Sequence, residues 1–125
     1  MGVNDNLLNN IAKALNSESY VTLSYLAVST DSTFAASLTN TTIVGESPSR
    51  IATTSSRSAN TVTFNAIRSG ASVVDTTNGD TLYGAAWFSA VTAGQLQLDV
   101  ALPSLIHTTA YDLETDLDLT TNRGS

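Results

Sequence analysis

Between Tyr111 and Thr121 the chain reads Tyr-Asp-Leu-Glu-Thr-Asp-Leu-Asp-Leu-Thr-Thr, with an apolar or β-branched residue at nearly every odd position and an acid at four successive even ones. A period of two places Tyr111, Leu113, Thr115, Leu117 and Leu119 on one face of a strand and Asp112, Glu114, Asp116 and Asp118 on the other. The same alternation recurs upstream. Asn60 to Arg68 sets Val62, Phe64 and Ala66 against Thr61, Thr63 and Asn65, and Gln95 to Leu102 sets Leu96, Leu98, Val100 and Leu102 against Gln95, Gln97 and Asp99. Tyr20 to Ser29 is apolar on both faces in places, the mark of a central strand buried on two sides. Ile51 to Ser55 reads as a weak strand and Thr81 to Ala90 as a strong one carrying Trp87 and Phe88.

The connections are short and polar. Asn78-Gly79 predicts a two-residue hairpin turn joining Val73-Val74 to Leu82, because this pair takes positive φ readily. Ala93-Gly94 predicts a second hairpin, and Pro103, which cannot donate to a ladder, predicts a break or edge before a last strand from Ile106 to Thr121. Residues 30 to 47 read as a long loop, a feature that in small domains is usually functional or interfacial. About seven short strands without helical crossovers predict an all-β fold, an antiparallel β-sandwich or jelly-roll-like domain.

One segment departs from period two. Asn4, Asp5 and Asn6 offer N-cap side chains, and Leu7, Leu8, Ile11 and Leu15 follow at helical spacing. Residues 1 to 17 therefore predict a short amphipathic N-terminal α-helix, and residues 18 to 125 a single β-sandwich domain. So short a helix is marginal alone, so its stripe must be covered by the sheet or by a neighbouring subunit.

Composition narrows the function. The formal charge is -6, only 13% of residues are charged and there is no cysteine. Five cations, Lys13, Arg50, Arg57, Arg68 and Arg123, supply no basic stripe for a run of phosphates, so nucleic-acid binding is not expected. No basic segment leads into an apolar run and no stretch reaches 18 apolar residues, so the expectation is a chain without secretory signal or membrane span.

Candidate chemistry is sparse. His107 is the only histidine, and its zinc reading would need carboxylate ligands at a spacing the sequence does not show. A Ser-His-Asp triad would lack a Gly-x-Ser-x-Gly turn, and the acids lie mostly on wet faces, unlike a glycosidase pair. Along a strand, alternate carboxylates stand roughly 6.6–6.8 Å apart, too far for one strand to enclose a calcium ion with more than one or two of them. The acidic row thus reads as a solvated face that discourages edge-to-edge aggregation. A cation, or pairing with Arg50 or Arg57 across an interface, is its other reading. Asn40-Thr41-Thr42 fits an N-glycosylation acceptor, a triplet that arises by chance in Thr-rich chains. Trp87 and Phe88 point to opposite faces of a regular strand, one to the core and one to a possible interface.

Taken in order, a short helix, Tyr25-Leu26-Ala27-Val28-Ser29-Thr30, Gly45-Glu46 with Arg50, Asn60-Thr61-Val62-Thr63-Phe64, and Gly84 with Trp87-Phe88 before Gly94 resemble small β-rich virion proteins of tailed viruses. In that group a Gly-Leu-Phe-like strand is usual where this chain has Gly84-Ala85-Ala86-Trp87-Phe88. The resemblance implies a non-enzymatic virion structural protein with a β-sandwich fold; the amphipathic helix adds the expectation of a homo-oligomer, and the residues lead to no expected cofactor or metal. It implies a capsid decoration or turret protein contacting other virion proteins such as a major capsid protein, or else a tail, baseplate or fibre component. Interface candidates are Leu7, Leu8, Ile11, Leu15, Arg50 and Trp87. The competing expectation is a receptor- or carbohydrate-binding module with Tyr83, Trp87 and Tyr111 as its aromatic platform.

Overall fold

A computed structural model describes residues 2–34, 38–39, 41–47 and 49–122. The strands are β1 (Gly2–Val3), β2 (Tyr25–Ser29), β3 (Ile51–Ala52), β4 (Thr54–Ser58), β5 (Thr61–Arg68), β6 (Asp80–Phe88), β7 (Leu96–His107) and β8 (Leu113–Thr120), with one helix, α1 (Asp5–Leu15), and a 3-10 turn at Gly70–Ser72. They form a five-stranded sheet in the order β1-β7-β6-β2-β3 and a three-stranded sheet in the order β4-β5-β8. Every pairing is antiparallel. The fold is all-β and sandwich-like, with a short N-terminal helix.

The main core lies between the sheets. Leu26, Val28, Ala85, Trp87 and Leu98 from the larger sheet meet Ala66 and Leu117 from the smaller, with Phe64, Leu113 and Leu119 packed alongside. On β8 this sends Glu114, Asp116 and Asp118 to solvent, as the alternation requires, and Asp112, just before the strand, is exposed as well. Asp118 accepts from Thr63 Oγ1 at 2.6 Å and Asp116 from Asn65 Nδ2 at 2.7 Å, so two members of the row are tied to the hydroxyl and amide side chains of β5.

A second apolar cluster covers the other face of the larger sheet, where Ala27, Ala86, Phe88 and Leu96 meet Phe34 and Ile43 from the segment between β2 and β3. This explains why β2 is apolar on both sides. The Phe34 ring lies directly on Gly84, where a Cβ would come within 2.1 Å of a ring carbon. Arg50 fastens the same segment. Its Nη1 donates to the carbonyls of Ala90 (3.0 Å) and Ala93 (2.6 Å), its Nη2 to Thr41 O (2.8 Å) and to Glu46, and its Nε to Glu46 (3.3 Å). All five guanidinium donors are used.

Several boundaries differ from the sequence expectation, each for a local reason. The strand expected from Tyr20 starts at Tyr25, because Val21 N donates to Asn10 Oδ1 and Ser24 O accepts from Thr53 N, outside any ladder. The strand expected over Ile51 to Ser55 is split by Thr53, where the chain leaves one sheet for the other; the Thr53 hydroxyl donates to Leu23 O. Val73-Val74 is no strand. The Asp80 carboxylate takes the amides of Val74 (3.0 Å) and Asp75 (2.9 Å), which a strand would have offered to a neighbour. The turn before β6 is instead closed by Gly79 N donating to Asp75 O at 2.8 Å, with Gly79 at φ +82 and the Asp75 side chain accepting from Thr77 and Asn78. Pro103 does not end β7. Leu102, Pro103 and Ser104 stand opposite Tyr83 alone in a bulge, with Ser104 at φ 54, and the strand resumes to His107.

The N-terminal segment is joined to the larger sheet rather than set apart from it. β1 pairs with β7 through Gly2 and Val3, and α1 lies on β7 through polar groups. Asn6 Nδ2 donates to Leu96 O (3.0 Å) and Asn10 Nδ2 to Gln97 Oε1 (3.3 Å). Asn4 caps the helix, accepting from Asn6 N at 2.9 Å, and Asp5 and Lys13 sit at the ends that suit the helix dipole.

Candidate functional site

Because Asn6 and Asn10 face the sheet, the leucine stripe of α1 is only partly covered. Leu7 is buried in the core, whereas Leu8 (54%), Ile11 (48%) and Leu15 (84%) remain exposed, followed by Tyr20 (53%) and Val21 (42%). Beside them opens a groove of about 340 Å³ with Ile11 and Ala14 on one wall, Tyr20 and Leu23 on another, and Val62 and Leu119 on the third. Arg57 and Asn60 also line it. Ile11, Tyr20 and Val21 belong both to the groove and to the row of uncovered apolar side chains.

Three of the expected interface residues are interior: Leu7, already placed in the core, and Arg50 and Trp87. Arg50 is buried under the 30–47 segment and fully hydrogen-bonded, and Trp87 is in the inter-sheet core at 2% exposure. Both Trp87 and Phe88 are buried, one on each face of β6, because both faces of this strand are covered. The aromatic platform is not assembled either. Trp87 is inside, Tyr83 packs on the Phe34 cluster, and the Tyr111 hydroxyl donates to Ile106 O. Asn40 lies outside the described residues.

The sequence reading missed one buried polar cluster. Arg68 at the end of β5, Asp80 at the start of β6 and His107 at the end of β7 meet at one end of the sandwich. Arg68 Nη2 donates to Asp80 Oδ2 at 2.8 Å, and Arg68 Nη1 lies 2.8 Å from His107 Nδ1. Arginine can only donate, so Nδ1 is the acceptor and the imidazole is neutral with its proton on Nε2, which donates to Tyr111 O at 2.9 Å. Both ring nitrogens are engaged, leaving none for a metal or for proton abstraction. Burial pushes the Asp80 carboxyl up, but the amides of Asp75 and Val74 and the Arg68 guanidinium outweigh it and hold the group below its ordinary value. The available signal was parity: Arg68 follows Val62, Phe64 and Ala66 on the inward-facing positions.

Among the described residues no three His, Cys, Asp or Glu side chains converge to hold a metal ion, and no helix is long and apolar enough to cross a membrane. No family model, curated protein or solved structure matches the chain.

Proposed function

We propose that the protein is a non-enzymatic structural component of a tailed-virus particle, a capsid decoration or turret protein that self-associates through the face of α1 and the groove beside it. The observation that carries the self-association is the uncovered row of Leu8, Ile11, Leu15 and Tyr20 running into an apolar groove, a surface one copy leaves in water. The particle role is supported by the resemblance and by what its residues do here. Glu46 and Arg50 join in an ion pair at 3.2 Å, Gly84 lies under Phe34, and Trp87 and Phe88 fill the two clusters. They pin a covering segment to a sheet, which suits a rigid tile. The acidic balance keeps copies soluble before they assemble.

Mass photometry and negative-stain imaging of the purified protein test the association: a closed homo-oligomer is the expected result, and a monomer at micromolar concentration overturns it. Mass spectrometry of gradient-purified particles encoded with this sequence tests the location, and absence of the chain from them overturns the particle role.

A further inference from the structure

The sandwich is open along the flank where β7 and β8 end their sheets. β7 pairs outward with β1 only, at Leu98 and Asp99, and β8 pairs with β5 alone among the described residues. Between the two edges lies a cleft of about 400 Å³, with Trp87 and Ala85 at its floor, Val100 and Leu102 on the β7 side and Leu113 and Leu117 on the β8 side. Trp87 is 2% exposed, and its indole N–H is buried without an acceptor. Glu114 and Asp116 also border the cleft, and among the described residues no lysine or arginine does.

We propose that this cleft accepts an extended, basic segment of a partner protein as an added strand along β8. Strand addition satisfies a bare edge through main-chain hydrogen bonds while alternate side chains enter pockets. Here alternate apolar side chains of the added strand enter the cleft beside Trp87, Leu113 and Leu117, and a lysine or arginine meets Glu114 and Asp116. The β7 edge is unsuited to pairing, since Pro103 has no amide to donate and the bulge at Ser104 turns the strand. A second copy is a poor occupant. The chain carries -6, and among the cations of the described residues Arg50 and Arg68 are buried while Lys13 and Arg57 lie at the α1 helix and its groove. The acids that admit a basic strand therefore repel another copy's β8. The cleft shares no residue with the groove beside α1, so the inference stands apart from the particle role.

Trp87 is the chain's one tryptophan and gives a single indole N–H resonance. Trp87 lines the cleft, so titration of the full chain with the peptide Lys-Val-Thr-Val-Lys-Val-Thr should move that resonance and slow amide exchange across Leu113–Thr120. High salt should weaken the binding, and the same peptide with glutamate for lysine should leave the resonance unmoved. The exposed pair Glu114→Lys and Asp116→Lys should weaken the lysine peptide by about tenfold or more and admit the glutamate one. An indole resonance indifferent to the lysine peptide overturns the proposal, as does a shift without protection of β8, or protection that appears on concentrating the protein alone.

Discussion

The Arg50 guanidinium carbon lies 3.7 Å from the centre of the Phe88 ring, so a buried cation closes the apolar cluster on the outer face of the larger sheet. The same group holds Glu46, Thr41, Ala90 and Ala93, bringing the 30–47 segment and the β6–β7 turn to one point. Arg50→Ala leaves Glu46 and three carbonyls without their donor, and should cost about 3–5 kcal/mol in denaturant unfolding. Arg50→Lys should recover only part of this, because an ammonium cannot span five acceptors in a plane.

Gly84→Ala puts a methyl group where the Phe34 ring now lies. A loss of about 1–3 kcal/mol is expected, with faster amide exchange at Phe34 and Ile43. Combined with Phe34→Ala the two losses should fall short of their sum, since the clash vanishes with the ring. Simple additivity in a double-mutant cycle would contradict this packing.

Acid should destabilise the fold partly through Asp80. Its folded carboxyl lies below the ordinary value of 3.8, so its contribution is complete above that value and drains away as pH falls through the lower folded one. Asp31 and Asp75 are lowered in the same sense by backbone and side-chain hydrogen bonds from their neighbours. Asp99, raised by burial, works in the opposite direction and returns stability on acidification. Asp80→Asn should be less stable at neutral pH and should flatten the fall below pH 4, measured as urea midpoints against pH.

The hydrogen bonds of His107 predict a single tautomer. Long-range ¹⁵N correlation spectra should show an unprotonated Nδ1 and a protonated Nε2. His107→Gln, which can both accept from Arg68 and donate to Tyr111 O, should be tolerated far better than His107→Leu, which strands a buried guanidinium donor.

Leu8→Glu with Leu15→Glu alters side chains that one copy leaves exposed. Unfolding free energy of the single copy should stay within about 0.5 kcal/mol, while the homo-oligomer should dissociate in mass photometry. An oligomer unchanged by both glutamates would move the contact away from α1.

Strand pairing was legible where facing residues follow local parity. Leu113, Leu117 and Leu119 turn inward and their acidic neighbours outward because a strand has no other choice, and the two-sided character of β2 announced a cover on each face. The short N-terminal helix was legible, but the way it packs was not, for a different reason. Its leucines form the evident stripe, yet Asn6 and Asn10 find a carbonyl and a glutamine on β7, contacts set by residues some 90 positions away. Arg50 and Trp87 likewise owe their burial to long-range partners. The break at Thr53 and the capture of two amides by Asp80 leave no local mark in composition, whereas Arg68 could have been placed inward by counting in twos from Val62.

Thr53 gives the molecule a mechanical property. Because Ala52 still belongs to one sheet and Thr54 already to the other, a load applied to the β4 edge passes through a single residue into β3, the edge strand of the opposite layer, and on to its neighbour β2. The two layers therefore cannot shear past each other without tearing that stitch, which stiffens the body against sideways force.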